Sequence, residues 1–318
     1  MKLPIYIHRY TLTSAGALNA SSTKRQHEGV LIKVGDGYGC MHPWPELGDV
    51  PLDRLLEILR DGGTTPIIRA ALQSASEDGK ARVEGRSLFD NLTVPESHAT
   101  LMMNESDVDR AVAAGFSTVK VKMGRSLDTE REFIFAQAER YPELRWRLDF
   151  NCLLGQGGVE EELMCYPQSF REKIDFLEDP CVYDKSVWKN LRTRYDIPLA
   201  VDRDVESVDG DVSFVILKPA VNILNRVLED AHLNSWRVVF TSYMDHPLGQ
   251  TYAAWKAAIA AKQYPGMVNT CGLMTHGLFE EDAFTDQMGK VKPSFTPPPG
   301  CGLGFDDLLE ALPWKRLI

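Results

Sequence analysis

The feature that most constrains this chain is an alternation of short apolar runs with amphipathic stretches, which begins near residue 97. The runs are ATLMM, STVKVKM, LRWRLDF, KIDFLED, IPLAVD, SFVILKP, WRVVFTS and MVNTC. Runs of this length predict buried strands, and most of the stretches between them repeat apolar residues at helical spacing. Eight strands alternating with helices about every 25 residues predict a (β/α)₈ barrel of the α/β class. An open doubly wound sheet is the alternative, but the count of eight and the lack of a glycine-rich first turn favour the barrel.

The segments on either side of this alternation predict a second, smaller unit. Residues 1–95 contain strand patterns, a hairpin that turns at Gly35, two helical stretches (LDRLLEILRDGG and TPIIRAALQSASEDGKA) and a polar loop near residues 15–26. At the other end, a proline-rich stretch leads to the helical pattern FDDLLEAL, which we expect to pack back onto the N-terminal unit. The predicted organisation is an α+β capping domain at 1–95, completed by about 291–318, and a barrel at 96–290.

Charge and cysteine usage narrow the class of protein. The 318 residues carry 35 Lys and Arg against 45 Asp and Glu, a formal net charge of −10. This balance argues against a binder of nucleic acid or of anionic membranes, because either would show a basic stripe. The 6 cysteines lack CxxC spacing and predict reduced thiols in a cytoplasmic protein, and the sequence has neither a signal-peptide pattern nor a membrane-span pattern. The oligomeric state stays open.

Three consecutive predicted barrel strands end in a carboxylate. Asp149 stands in RLDFN, Glu178 in FLEDP and Asp202 in LAVDRD, although Asp204 could replace Asp202 as the residue at the rim. A single acid after a strand often only caps the next helix, but three in a row are harder to explain in that way. The C-terminal ends of barrel strands form one rim, where three carboxylates would repel one another unless a hard divalent cation joined them. The sequence therefore predicts a site for Mg²⁺, with Mn²⁺ as a substitute.

Three lysines are expected to share the interior of the barrel. Lys120 and Lys122 lie two residues apart in TVKVKMG, so their side chains share a face, and their apolar neighbours take the other face towards the helices. Lys218 ends the sixth strand, which lies opposite the second in an eight-stranded barrel. One lysine pair should therefore face one lysine, with the carboxylates on the arc between them.

This combination suits the removal of a proton next to a carboxylate. The proton is weakly acidic, its removal creates a dianionic enediolate, and a metal bound to the carboxylate stabilises the developing charge. The base has to be partly neutral near neutral pH, so a lysine in this role needs a lowered pKa. We expect the positive charges of Lys120 and the metal to lower the pKa of Lys122.

The ordered set TVKVKMG, RLDFN, FLEDP, LAVDRD and ILKP resembles the muconate-lactonising subgroup of the enolase superfamily. The separation of about 29 residues between the first two acids is similar. TKRQHEGVLIKV and GYGCMHPWPELGD resemble the capping domain of that family, and GCGLGFDDLLEAL resembles the C-terminal return to it. The resemblance covers nearly the full chain and implies a TIM-like barrel of the enolase type with an N-terminal capping domain.

Within the subgroup, the chain most resembles the members that dehydrate 2-succinyl-6-hydroxy-2,4-cyclohexadiene-1-carboxylate to an aromatic product in menaquinone synthesis. The resemblance implies that Lys122 removes the proton and then protonates the departing hydroxide, and that Lys218 stabilises the enediolate. It also implies Mg²⁺ ligands at Asp149, Glu178 and Asp202, and a place for Lys120 near the substrate carboxylate. Contacts with this small carboxylate substrate are expected from Arg147 and Asn151, which share the face of Asp149, and from Ser242 and Tyr243 in VFTSYMDHPLG.

The sequence departs from the family pattern in two respects. Asp202 and Lys218 are only 16 residues apart, which predicts a fifth barrel helix of one or two turns, or none. Arg203 and Asp245 stand where the family usually has Glu.

Other activities of the same superfamily are alternatives. A dipeptide epimerase would share the lysines and metal ligands, but MVNTCGLMTHG lacks the acidic pair that such enzymes place at the last strand. An N-succinylamino acid racemase or a cycloisomerase is not distinguished by these residues. From a different class, a barrel that binds without catalysis would be expected to have lost a rim lysine or acid, and none is lost.

Overall fold

The computed structural model describes residues 3–14, 16, 18, 24–210 and 212–318, so the loop predicted near residues 15–26 lies largely outside the described residues. The strands of the N-terminal unit are β1 Ile5–Thr13, β2 Gln26–Val34 and β3 Gly37–Met41, and they are joined by β11 Lys315–Arg316 from the end of the chain. They form one antiparallel sheet in the order β11-β1-β2-β3.

Two helices, α1 Leu52–Arg60 and α2 Pro66–Val83, pack on this sheet. The backbone of α2 approaches β3 closely, since a Cβ added to Gly37 would lie 1.8 Å from the carbonyl oxygen of Ala75. Only glycine permits this approach. Both helices and the hairpin turn that begins at Gly35 agree with the sequence prediction.

The C-terminal segment returns to this unit. The short helix α11 Asp306–Ala311 precedes β11, which pairs with β1. Asp78 on α2 is fully buried and accepts hydrogen bonds from the Leu303 amide at 2.6 Å and from Arg82 Nε at 2.7 Å. The sequence predicts this return, while the domain boundaries at residues 95 and 291 stay predictions.

Within the described residues, the barrel contains seven parallel strands, each hydrogen-bonded to the next in chain order. They are β4 Ala99–Leu101, β5 Thr118–Lys122, β6 Arg145–Asp149, β7 Ile174–Glu178, β8 Leu199–Val201, β9 Phe214–Leu217 and β10 Arg237–Phe240. Inward-facing apolar residues fill the barrel below its rim: Phe176, Ala200, Phe214, Ile216 and Val239. Their neighbours along the strands face outwards to the helices, as the period of two requires.

The helices of the barrel surround these strands. They are α3 Glu105–Ala113, α4 Leu127–Arg140, α5 Gln156–Cys165, α6 Gln168–Arg171, α7 Lys185–Tyr195, α8 Leu224–Asn234, α9 Pro247–Gln263 and α10 Ala283–Met288. The crossover between β8 and β9 has one short 3₁₀ turn, Val205–Ser207, in place of a helix. The prediction of a shortened or missing fifth helix is therefore confirmed.

The eighth predicted strand, MVNTC, is not a regular strand. It makes only isolated parallel bridges, Val268 with Val238 on one side and Cys271 with Ser97 on the other. The Cys271 carbonyl accepts the His98 amide at 2.7 Å, so the segment still joins the two edges of the seven-stranded sheet. Its first residues bond to β10, and its last residue bonds to the segment before β4. Within the part of the chain that the structure describes, no helix combines the length and apolar character needed to cross a membrane.

Candidate active site

A cavity of about 700 Å³ lies at the C-terminal ends of the barrel strands, under the N-terminal unit. The barrel provides residues from the ends of its strands, and the N-terminal unit provides the segments 47–50 and 64–67. All six predicted metal ligands and lysines line it: Lys120, Lys122, Asp149, Glu178, Asp202 and Lys218. The placement agrees with the general location of active sites in such barrels.

Two of the carboxylates lie side by side on neighbouring strands. Asp149 and Glu178 are the last residues of β6 and β7 and are register partners. Both are buried, and the Nζ atom of Lys120 lies 3.0 Å from Asp149 Oδ2 and 2.7 Å from Glu178 Oε1. Burial alone would lower the pKa of Lys120, but the two carboxylates outweigh it and raise that pKa. Lys120 is therefore held as a cation between the two acids.

The third carboxylate at the rim is Asp202 rather than Asp204. Asp202 Oδ2 accepts a hydrogen bond from Lys218 Nζ at 2.5 Å, and its Oδ1 is buried and has no hydrogen-bond partner within the described residues. Asp204 is exposed and begins the 3₁₀ turn with a left-handed φ of 52°. Asp179, which the sequence analysis did not single out, holds this loop, because its carboxylate accepts the amides of Asp202 at 3.1 Å and Arg203 at 3.0 Å.

Lys122 differs from the other two lysines because it has no ion-pair partner in the part of the chain that is described. Its side chain lines the cavity, and its pKa is lowered. Burial is the main cause, and the positive charge of Lys120 lowers this pKa further, as expected from the sequence. For Lys218, the pairing with Asp202 outweighs burial and raises the pKa.

The donor set fits a hard divalent cation. Three carboxylates at the ends of neighbouring strands are ligands that Mg²⁺ prefers, and the unpartnered Oδ1 of Asp202 is a free acceptor among them. The ammonium groups of Lys120 and Lys218 now pair with these acids, and no group of three His, Cys, Asp or Glu among the described residues stands in a metal-binding arrangement. A bound cation would therefore have to replace lysine ammonium groups in their contacts with these carboxylate oxygens.

Three of the four predicted substrate contacts line the cavity: Asn151, Ser242 and Tyr243. The Ser242 hydroxyl lies 2.6 Å from the hydroxyl of Thr275. The Tyr243 hydroxyl donates a hydrogen bond to Asp49 Oδ2 at 2.8 Å, and the Lys218 Nζ atom lies 6.0 Å from the tyrosine ring. Tyr243 thus connects the N-terminal unit with the catalytic face of the barrel.

Arg147 is the exception, and its prediction as a residue lining the pocket is corrected. It shares the inward face of Asp149, as expected, but lies two residues deeper and is fully buried. Its Nε donates to Asp175 Oδ2 at 2.8 Å, and its Nη1 lies 2.9 Å from the Thr270 carbonyl and 2.7 Å from His98 Nδ1. Strand periodicity gives the face of a residue but not its depth.

Sequence reasoning missed several cavity residues, of which the most informative are Asp49, His98, Thr100, Thr241 and Thr275. The inward position of Thr100 and His98 could have been inferred from the period of two in β4. Thr241 follows β10 two residues after the inward-facing Val239, so the same argument applies to it. Asp49 and Thr275 lie in loops, where local sequence carries no directional signal.

Comparison with known proteins identifies the class to which this barrel and its cap belong. The family model described as "Enolase C-terminal domain-like" matches residues 105–307, and the model described as "O-succinylbenzoate synthase, N-terminal domain" matches residues 5–81. The chain therefore belongs to the enolase superfamily and is an enzyme of that superfamily. This confirms the resemblance and the fold class that the motifs predicted.

Individual relatives extend the match over the whole chain. The o-succinylbenzoate synthase of Bdellovibrio bacteriovorus is 33% identical over 323 residues, which cover 97% of each chain. Among solved structures, a mandelate racemase/muconate lactonizing protein from Herpetosiphon aurantiacus has a TM-score of 0.79 at 15% identity, over 95% of this chain and 98% of that one. A dipeptide epimerase from Enterococcus faecalis, complexed with Mg and the dipeptide L-Leu-L-Tyr, has a TM-score of 0.76 at 17% identity, over 96% and 99%. The structural matches show the shared fold.

Proposed function

We propose that this enzyme is an o-succinylbenzoate synthase, a carbon–oxygen lyase that dehydrates 2-succinyl-6-hydroxy-2,4-cyclohexadiene-1-carboxylate. The observation that carries the proposal is the cavity, in which Lys120 and Lys122 on β5 are separated from Lys218 by the three carboxylate-bearing strands. The similarity to a named o-succinylbenzoate synthase over nearly the whole chain supports this choice of reaction.

Lys122 is the proposed base. Its amine would take the proton next to the substrate carboxylate, and the electron pair of that C–H bond would form the enediolate. The adjacent C–O bond then breaks, and the Lys122 ammonium returns the proton to the departing hydroxide, so that water leaves. The buried setting that lowers the pKa of Lys122 favours the neutral amine that the first step needs.

The remaining groups stabilise charge. Mg²⁺, held by Asp149, Glu178 and Asp202, would supply charge stabilisation for the substrate carboxylate, and a dipeptide epimerase of this fold has been solved with Mg. The Lys218 ammonium, kept protonated beside Asp202, would face the enediolate as a fixed positive charge. Lys120 would do the same near the substrate carboxylate. No proton transfer by Lys218 is required for a dehydration that starts and ends at Lys122.

The test is turnover with the purified protein, Mg²⁺ and the cyclohexadiene substrate, followed by formation of the aromatic product. We expect Lys122→Ala to lose turnover and the exposed Lys189→Ala, the matched control, to keep it. Chelation by EDTA should abolish turnover, and added Mg²⁺ or Mn²⁺ should restore it. Absence of turnover in the wild type, or full turnover by Lys122→Ala, would refute the proposal.

A second candidate is racemisation or epimerisation of an N-acylated amino acid. The observation in its favour is that amines of Lys122 and Lys218 enter the cavity from two sides, which a two-base proton transfer would use. Incubation with N-succinylamino acids and dipeptides in deuterated water would detect exchange at the α-carbon. Interconversion of the stereoisomers that Lys218→Ala abolishes, without dehydration of the cyclohexadiene, would favour this candidate over the first.

The menaquinone pathway and the cytoplasmic location stay predictions. The cytoplasmic prediction rests on the cysteines, all 6 of which are free in the structure.

A further inference from the structure

His98 lies on the floor of the cavity, immediately before β4, with 4% of its surface exposed. Its backbone amide donates to the Cys271 carbonyl at 2.7 Å. Its ring lies against the backbone of Gly272, where an added Cβ would lie 2.7 Å from the ring Cε1 and 2.9 Å from Nε2. The position of the imidazole is therefore fixed on two sides, and the close approach requires glycine at position 272.

The contact with Arg147 determines which ring nitrogen carries the proton. Arg147 Nη1 lies 2.7 Å from His98 Nδ1. A guanidinium group can only donate hydrogen bonds, so Nδ1 has to accept, and a neutral ring then carries its proton on Nε2. Burial and the positive charges of Arg147 and Lys120 lower the pKa of His98 well below its usual value, which keeps the ring neutral.

Arg147 is itself rigidly held. Its guanidinium pairs with Asp175, donates to the Thr270 carbonyl and lies 4.6 Å from the centre of the Phe176 ring. The series of contacts from Asp175 through Arg147 to His98 therefore sets the orientation of the imidazole from below the cavity. Such a supporting group commonly fixes the tautomer of a functional histidine.

The Nε2 atom of His98 has no protein partner among the described residues. The Thr241 side chain approaches the same point of Gly272, since an added Cβ there would lie 2.9 Å from its methyl carbon. The Thr241 hydroxyl is buried and has no partner among these residues. Buried polar groups are nearly always hydrogen-bonded, so the unpaired Thr241 hydroxyl next to the unpaired Nε2 of His98, which lines the cavity, points to a ligand atom.

We propose that His98 is a permanently neutral hydrogen-bond donor that binds a carbonyl or carboxylate oxygen of the ligand through Nε2–H, with Thr241 beside it. This inference rests on the proposed function for the identity of that ligand and adds a binding residue to it. A neutral donor can hold an anionic oxygen in the cavity without adding a titrating charge next to Lys120.

Two variants of similar size distinguish the role of the Nε2–H donor from the role of the Nδ1 contact with Arg147. In His98→Asn the amide oxygen can replace Nδ1 as the acceptor for Arg147, but the amide nitrogen does not reach the position of Nε2. In His98→Gln the amide nitrogen reaches that position. We expect KM for the cyclohexadiene substrate to rise about tenfold or more in His98→Asn and to stay within a few-fold of wild type in His98→Gln, with kcat changed less in both.

His246 offers a matched control, because it is equally buried and its Nδ1 accepts the Leu248 amide at 3.1 Å, but it is not among the cavity-lining residues that are described. His246→Asn should leave KM unchanged. An unchanged KM in His98→Asn would overturn the inference, and so would an equal rise of KM in His246→Asn.

Nitrogen-15 NMR of the histidine rings in the wild-type protein tests the same inference without turnover. We expect His98 to show an unprotonated Nδ1 and a protonated Nε2, and its Nε2–H signal to shift when o-succinylbenzoate and Mg²⁺ are added, while the signal of His246 stays in place. A proton on Nδ1, or no shift of His98 on binding, would overturn the inference. A wild type that binds the compound with this shift but does not dehydrate the substrate would refute the proposed function alone.

Discussion

Asp245 is a carboxyl group that the fold keeps from water, and its replacement by Asn should change how stability depends on pH. The side chain is 3% exposed, and its Oδ1 has no hydrogen-bond partner among the residues described. Its Oδ2 lies so close to Gly249 that a Cβ there would be 2.1 Å away. Burial raises the pKa of Asp245 to about 7. Asn keeps the shape of the side chain and does not titrate.

The sign of the effect follows from the two states of the chain. An unfolded aspartate has a pKa of about 3.9, so the unfolded chain releases this proton at a lower pH than the folded chain does. The stabilising contribution of the bound proton is complete below about pH 4 and is lost as the pH rises through about 7. The loss is about 1.4 kcal/mol per pH unit and stops near the folded pKa of about 7, so about 1.5 pH units contribute between about pH 5.5 and about pH 8. Over this range the wild type should lose about 2 kcal/mol of stability relative to Asp245→Asn.

Urea unfolding followed by tryptophan fluorescence, at both pH values and without added metal, measures this difference. Asp90→Asn removes the same formal charge from an exposed position and should follow the wild type at both pH values. If wild type and Asp245→Asn showed the same change of unfolding free energy with pH, the burial argument for Asp245 would be wrong.

Two further predictions concern the contacts that hold the N-terminal unit in place. Tyr243→Phe removes the hydrogen bond to Asp49, so the N-terminal unit should close less firmly over the cavity. We expect KM to rise a few-fold in steady-state kinetics, with a smaller change in kcat. An unchanged KM would contradict this. Asp78→Ala leaves the Arg82 guanidinium and the Leu303 amide without their buried partner and should cost about 3–5 kcal/mol in urea unfolding. A cost below about 1 kcal/mol would show that water replaces the carboxylate there.

The sequence predicted the parts of this protein that depend on local periodicity. The alternation of β and α elements follows from hydrophobic spacing, and the inward direction of Lys120 and Lys122 follows from the period of two in a strand. The rim position of Asp149, Glu178 and Asp202 follows because parallel strands end at one edge. These properties need only the residues of one element and its immediate neighbours.

Contacts between distant segments could not be predicted in this way. The sequence left Asp202 and Asp204 as alternatives, and the pairing of Asp202 with Lys218 decides between them. It placed Arg147 on the correct face, but its depth depends on Asp175, which lies 28 residues away in the chain.

The alternation of strands and helices, the inward lysines and the three rim acids were therefore determined by the sequence itself, because each follows from the pattern along one element or from the shared edge of neighbouring strands. Only the tertiary structure decided that burial is the main cause of the lowered pKa of Lys122, that MVNTC joins the barrel by isolated bridges, and that Arg147 supports His98 from below. Burial and hydrogen-bond partners are properties of the packed chain, since they depend on residues that folding brings together from far apart.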